Sequence, residues 1–261
     1  MMHKAKKSLG QNFLKSELAL RKIIEAGEIK PDDVILEIGP GKGALTEKLL
    51  EKAGLVIALE KDRELFEILK IKFEKEIAEK KLILLNDDIL EFRVENYKLK
   101  NYKIIANIPY NITGAILKKF LTEKNQPTLM VLMVQNEVAK RIVAKGGKES
   151  ILSISVKAYG KPKLIMKVAA RYFSPAPKVD SAIILINNIS RETFTENKIN
   201  EEKFWEIVKT GFAHKRKKLT SNLKTLKLCK VELCTNKTLL EGLGNKRAED
   251  LTLTDWIKLS N

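Results

Sequence analysis

Asn107-Ile108-Pro109-Tyr110 is the tetrapeptide whose residue types bear most directly on chemistry. An exocyclic amine on an aromatic base is a poor nucleophile, because its lone pair is delocalised into the ring. Two acceptors aimed at its hydrogens favour a pyramidal nitrogen with an available lone pair. Asn107 can offer an amide oxygen and Pro109 a backbone carbonyl. The proline has no N–H to compete and fixes the local backbone. Tyr110 can stack on an extruded base, as enzymes acting on bases within structured nucleic acid require. No strong general base is called for, since the amine loses a proton easily once alkylated. The same four residues would also serve as a proline turn with a half-buried tyrosine.

Upstream, Val34-Ile35-Leu36-Glu37-Ile38 runs into Gly39-Pro40-Gly41-Lys42-Gly43. Glycines after a strand and before a helix let a ligand approach the backbone closely. Their G-x-G-x-G spacing departs from the dinucleotide fingerprint G-x-G-x-x-G, and a plain strand-to-helix turn would use the same residues. Glu60 narrows the choice. It ends the next apolar run, about 20 residues beyond Gly39, where a carboxylate can hold a ribose diol and opposes a 2′-phosphate. Gly39, Gly41 and Glu60 thus fit an adenosine-containing cofactor that needs no pyrophosphate, and S-adenosylmethionine is the natural candidate. Asn86-Asp87-Asp88 closes a third apolar run. Asp88 either accepts from an adenine amino group or makes a turn or cap.

Such residues need a scaffold that brings strand ends to one edge. Over the first two-thirds of the chain, apolar runs alternate with amphipathic stretches, the pattern of a parallel sheet with crossover helices. Strands are expected at 34–38, 55–59, 82–85, 103–106, 128–135, 163–168 and 181–186, with helices near 44–52, 63–78 and 113–122. Ser16 would cap an earlier helix through Ala26, with Leu18, Ile23 and Ile24 inward and Gly27 ending it. Ligands of open parallel sheets bind outside the carboxyl ends of the strands, where Gly39, Glu60, Asp88 and Asn107 fall. Past Asn187 nothing alternates with period two, and 201–212, 215–228, 237–243 and 254–259 read as helices. The expectation is an α/β domain over 1–187 and a helical domain over 188–261, with 187–200 as a polar linking stretch. Residues 144–149 are the expected mobile surface loop.

Charge points to a partner. The chain has 49 Lys plus Arg against 33 Asp plus Glu, a formal net charge of +16. Between Ala139 and Ile186 lie Lys140, Arg141, Lys145, Lys148, Lys157, Lys161, Lys163, Lys167, Arg171 and Lys178, opposed only by Glu149 and Asp180. Such a surplus favours a polyanion, nucleic acid before an acidic membrane surface. A thermophile's charged surface would enrich both signs instead. No apolar run approaches the roughly 20 residues of a membrane helix, and no apolar stretch follows the basic N-terminal residues, so a span and secretion are not expected. Cys229 and Cys234 cannot form a disulfide framework and suit a reducing cytosol as ordinary buried thiols; with only His3 and His214 besides, no zinc site is expected.

Four motifs occur in order: Gln11-Asn12-Phe13-Leu14, Glu37-Ile38-Gly39-Pro40-Gly41, Asn107-Ile108-Pro109-Tyr110-Asn111-Ile112, and Phe173-Ser174-Pro175-Ala176-Pro177-Lys178-Val179-Asp180-Ser181. Together they resemble the ribosomal RNA adenine N6,N6-dimethyltransferases, from Lys7 to about Ile186 and more loosely through the helical tail. The resemblance implies a class I, Rossmann-like S-adenosylmethionine-dependent methyltransferase fold: seven mostly parallel strands, the last antiparallel, plus a C-terminal helical domain. It implies cofactor contacts at Asn12, Leu14, Gly39, Glu60, Asp88 and Asn107, and a Phe173 ring opposite Tyr110 around the target base. An aromatic just before Ser-Pro-x-Pro is equally a core residue. His214-Lys215-Arg216-Lys217-Lys218 resembles the family's basic helix start, and would equally be a solvated helix face.

The family modifies two adjacent adenines near the 3′ end of small-subunit ribosomal RNA on a preassembled particle. The resemblance therefore implies that RNA as partner, a part in ribosome biogenesis and cytoplasmic location; a monomer is expected. The enzymes that methylate one large-subunit adenine and confer macrolide resistance share the Gln-Asn-Phe and Asn-Ile-Pro-Tyr motifs, but Asn111 and Asp180 look more like the small-subunit enzymes. A non-catalytic assembly factor, or a tRNA or DNA adenine methyltransferase, would share less of the pattern.

Overall fold

The computed structural model describes residues 4–97, 99–144, 148–224 and 242–261. Two compact units divide the chain, 1–139 with 161–189, and 140–160 with 190–261. Residues 140–160 thus cluster with the C-terminal helices, a return of the chain that a boundary at 187/188 does not express.

The first unit is a seven-stranded sheet. Its strands are β1 (Val34–Ile38), β2 (Leu55–Leu59), β3 (Leu82–Leu85), β4 (Lys103–Asn107), β5 (Leu129–Gln135), β6 (Lys161–Val168) and β7 (Ser181–Asn187). The spatial order is β3-β2-β1-β4-β5-β7-β6. The first five pair in parallel, while β7 runs antiparallel to both β5 and β6. The central strands are buried on both faces and read as continuous apolar runs for that reason. The order reverses between β1 and β4, and the residues following these two strands therefore flank one crevice.

Helix α1 (Glu17–Gly27) starts where Ser16 Oγ accepts from the Ala19 N–H. Two details of that helix differ from expectation. Leu18 is exposed, and Ala19, Leu20 and Ile23 form the buried stripe. Gly27 stays helical while Glu28 takes the left-handed conformation (φ 44°). A Cβ at Gly27 would lie 2.6 Å from Ile105 Cδ1, so the glycine serves close approach to the sheet. The Lys103 ammonium, paired with Asp33 at 2.7 Å, meanwhile takes the Gly27 and Glu28 carbonyls. Helix α2 spans Ala44–Leu50. The long helix expected over 63–78 is two, α3 (Arg63–Lys72) and α4 (Glu74–Ala78), broken at Phe73. That break seats the Phe73 ring where a Cβ on Gly43 would stand 2.7 Å from it. Helix α5 spans Thr113–Thr122.

In the second unit, helices Ile151–Lys157, Glu192–Glu196, Glu201–Gly211, Leu219–Leu223 and Leu253–Ser260 surround buried Phe204, Ile207, Trp256 and Leu259. Phe194 is buried too, so the expected linker carries a packed helix. His214 to Lys218 are exposed but form a turn, and the next helix starts only at Leu219. Buried Asn222 donates to the Gly211 and His214 carbonyls and holds that turn. Residue Lys145, Cys229, Cys234 and most of the expected helix at 237–243 lie outside the described residues. Among the described residues no helix is long and apolar enough to cross a membrane.

Candidate active site

A cavity opens at the carboxyl ends of β1, β2 and β4. Asn12, Leu14, Gly39, Gly41, Glu60, Asp88, Asn107, Pro109 and Tyr110 all line it. Phe173 does not. It is 2% exposed, within the apolar core, and pairs with Leu14 in a two-residue ladder of Phe13–Leu14 against Phe173–Ser174.

The glycine loop leaves β1 with Gly39, Gly41 and Gly43 all at positive φ. No atom lies within 4 Å of a Cβ built on Gly39, whereas one on Gly41 would stand 3.0 Å from the Phe13 ring. The loop is therefore open at Gly39 and roofed by Phe13 at Gly41. Glu60, 5% exposed, accepts from the Gly41 N–H (3.0 Å) with one carboxylate oxygen and from the Asp62 N–H (2.9 Å) with the other. It thereby ties the loop to β2 at the wall of the cavity. Glu37 is buried beside it and accepts from Thr46 Oγ1 at 2.7 Å. Burial pushes the Glu37 carboxyl up to about 8, against the Thr46 hydrogen bond and with the help of Glu60. Asp88 accepts from the Leu90 N–H and pairs with Lys61 at 2.7 Å, which holds its carboxyl below the usual range. Asp88 therefore shapes a turn as well as facing the cavity.

Asn107 is the last residue of β4, in register with Met133, so its position is set by the sheet. Its Nδ2 donates to the Asn12 carbonyl at 3.1 Å. A carbonyl only accepts, so the amide must present its NH2 there, and Oδ1 is left for a donor from a ligand. The Pro109 carbonyl accepts from Ile112 N–H at 3.3 Å, a long turn bond that leaves its other lone pair. Tyr110 opens a short 3-10 turn and its hydroxyl meets Ser181 Oγ at 2.5 Å. Burial raises the phenol's pKa.

Several residues that residue-type reasoning passes over complete the site. Gln11 and Lys6 both donate to buried Asp62, at 2.8 and 2.7 Å. Asp180 accepts from the Ala170 N–H and pairs with Lys167. Ser181 is fully buried against the Tyr110 hydroxyl. Gln11, Asp180 and Ser181 stand inside the quoted motifs; Asp62 carried no signal beyond lying two residues after Glu60. Of the one-sided charge run, Lys161, Lys163, Arg171 and Lys178 are exposed in the first unit, and Lys140, Arg141 and Lys148 in the second. Lys157 is not part of a free surface, since it pairs with Glu149 and donates to the Ala144 carbonyl.

A profile of the family described as ribosomal RNA adenine dimethylase matches residues 2–261. The chain belongs to that family. Relatives of this dimethylase include the ribosomal RNA small subunit methyltransferase A of Dehalococcoides mccartyi, 42% identical over 98% of this chain and 87% of the relative. The enzyme of the same description from Fusobacterium nucleatum is 39% identical over 99% and 97%. Among solved structures, a dimethyladenosine transferase from Plasmodium falciparum superposes with a TM-score of 0.79 at 28% identity, over 95% of each chain. The 23S rRNA methyltransferase ErmE superposes at 0.76 and 25% identity, over 95% of this chain and 98% of that one. The strand order of this dimethylase is that of a class I methyltransferase, with β7 antiparallel to its neighbours as the motifs imply.

Proposed function

We propose that this chain transfers methyl groups from S-adenosylmethionine to the N6 amines of two adjacent adenines near the 3′ end of small-subunit ribosomal RNA. It acts as a monomer on a preassembled subunit in the cytoplasm, through a catalytic domain at 1–187 and a helical domain at 188–261, and contributes to ribosome biogenesis. One observation carries the site assignment: the Asn12 carbonyl turns the Asn107 amide so that Oδ1 is left to accept, in the cavity that Glu60 and the glycine loop also line.

The residues present suit the cofactor, with an open glycine at the end of β1 and the Glu60 carboxylate lining the same cavity at the end of β2. Glu60 would hold the ribose hydroxyls, Asp88 the adenine amine, and Asn12, Leu14, Gly39, Gly41 and Asn107 the remainder. S-adenosylmethionine supplies an electrophilic methyl group on sulfur. Asn107 Oδ1 and the Pro109 carbonyl accept from the target amine and favour its pyramidal form, while Tyr110 stacks on the flipped base. Phe173 is assigned the opposite face of that base, for which its ring must leave the core position described above. The exposed lysines and arginines contact RNA phosphates, so binding weakens steeply with added salt.

The test supplies labelled S-adenosylmethionine with unmethylated small subunits, large subunits, tRNA and duplex DNA in parallel. Label is expected in small subunits, as N6,N6-dimethyladenosine. Label only in large subunits would transfer the assignment to the ErmE-like activity, and cofactor binding without label in any substrate would make the chain a binding factor.

A further inference from the structure

Residues 6–15 form a strap along the cavity, held at both ends and in the middle, with Lys6 also paired to Glu64 at 3.1 Å. At one end, the Asp62 carboxylate, 2% exposed, accepts from Lys6 Nζ at 2.7 Å and Gln11 Nε2 at 2.8 Å. The Lys6 N–H donates back to Gln11 Oε1 at 2.7 Å, closing the loop of contacts. In the middle, the Asn12 carbonyl receives the Asn107 amide. At the far end, Leu14 pairs with Phe173, and the Lys15 N–H donates to the Tyr172 carbonyl at 2.8 Å. Asp62 itself does not line the cavity. It caps α3 by accepting from the Glu64 N–H, a task that needs one oxygen and not a charge.

We infer that Asp62 is a positioning residue for methyl transfer: by tethering Lys6 and Gln11 it sets the Asn12 carbonyl, and through that carbonyl the orientation of the Asn107 amide. The physical step is short. Gln11 and Asn12 are consecutive, so a displacement at the tether moves the carbonyl that Asn107 needs. Once that carbonyl retreats, the amide turns freely and Oδ1 is no longer held toward the amine, a loss of preorganisation and not of a contact with substrate. The ladder at Phe13–Leu14 is independent of Asp62, so the strap stays in place while its Asp62 end loosens. The inference rests on the reading of Asn107 as the acceptor for the target amine.

The test is a set of single-turnover rates on unmethylated small subunits, with full-length protein and saturating labelled S-adenosylmethionine. Asp62→Asn keeps the shape and one cap acceptor but removes the charge and places an NH2 among the donors. Its rate at saturating cofactor is expected to fall about tenfold. In an Asn107→Ala background the same substitution is expected to change the rate less than about twofold, because the amide it positions is gone. The pair Asp62→Asn with Gln11→Glu restores a donor–acceptor match of reversed polarity, and recovers most of the rate. If Asp62→Asn does not fold, Lys6→Met removes one tether from a half-exposed position and is expected to slow transfer about threefold. An unimpaired rate in the folded tether variant, or an equal loss in the presence and absence of the Asn107 amide, would overturn the proposal while leaving Asn107 in place. An Asn107→Ala enzyme of undiminished rate would overturn the acceptor reading and this proposal together.

Discussion

On the glycine-loop side of the cavity three carboxylates are buried: Glu37, Glu60 and Asp62, at 1, 5 and 2% exposure. On the Asn-Ile-Pro-Tyr side the polar groups are neutral: the Asn107 amide, the Pro109 carbonyl, the Tyr110 phenol and the Ser181 hydroxyl. The two sides suit different work. Glu60, held by backbone N–H donors, and Asp62, held by Lys6 and Gln11, are acceptors on the side that would take a cofactor carrying sulfonium, ammonium and ribose hydroxyl groups. Burial keeps Glu37 largely neutral beside them. Neutral acceptors fit an uncharged amine that must offer its lone pair. On the function proposed above, the neutral side would orient the nucleophile and not remove its proton.

The largest effect expected on the neutral side is structural. Phe173→Ala removes a buried ring from the core and should lower unfolding free energy by about 3–5 kcal/mol. Phe173→Leu keeps most of the apolar volume but no aromatic face. A stable Phe173→Leu enzyme with reduced turnover would place the ring at the base, while unchanged turnover would confine Phe173 to packing. Next, Asn107→Ala deletes an acceptor that matters most as the nitrogen pyramidalises. Turnover should fall roughly 10²- to 10³-fold, by analogy with removing one preorganised transition-state contact. A loss confined to the Michaelis constant would mean that Asn107 only binds.

The carboxylate side makes a contrasting prediction in pH. Glu37 is raised by burial from 4.5 to about 8, so its neutral form is the one the fold prefers. Below the ordinary carboxylate range both folded and unfolded states hold the proton, and the fold suffers no penalty. As pH rises toward and through about 8, the unfolded chain ionises first and stability is lost. Calorimetry of the cofactor-free protein should show this decline, on the order of a few kcal/mol, and Glu37→Gln should remove it. An identical pH profile in the two proteins would show that Glu37 is ionised in the fold. At Glu60 the expected change is smaller. Glu60→Ala removes charge-assisted hydrogen bonds worth roughly 1.5–3 kcal/mol, so calorimetric affinity for S-adenosylmethionine should fall about 10- to 100-fold with RNA binding largely kept. Unchanged affinity would detach Glu60 from the ribose.

The two sides were not equally legible before folding. Five of the seven strands are buried on both faces and write themselves as apolar runs. The more exposed β3 and β6 lie at the sheet edges, and the residues that end the parallel strands meet at one edge. Gly39, Glu60, Asp88 and Asn107 come together for that reason alone. What escapes is what depends on partners distant in sequence. Asp62 gains its role from Lys6 and Gln11, more than 50 residues away, and Ser181 gains its own from Tyr110. Phe173 could not be assigned to core or cavity from type and spacing, because an aromatic serves either. In the helical region the expected start at Lys215 moves to Leu219, since a buried Asn222 satisfies the preceding carbonyls and holds a turn that propensity does not encode.

The smallest effect separates ring from hydroxyl at Tyr110. Tyr110→Ala removes a stacking platform worth about 1–3 kcal/mol per base, and should impair placement of the flipped adenine accordingly. Tyr110→Phe keeps the ring and deletes only the 2.5 Å contact with Ser181. That hydrogen bond is worth about 1 kcal/mol net, so stability should drop by roughly that amount and turnover by no more than about fivefold. The pKa of the phenol is raised by burial, which keeps it protonated at neutral pH and leaves it no basic form to use there. Because deleting both partners of a buried hydrogen bond costs less than stranding one, Ser181→Ala should add little once Tyr110→Phe is present. A Tyr110→Phe enzyme as inactive as Tyr110→Ala, with its fold intact, would show that the hydroxyl handles a proton. The neutral side of the cavity would then hold an acid–base group after all, and the contrast between its two walls would have to be redrawn.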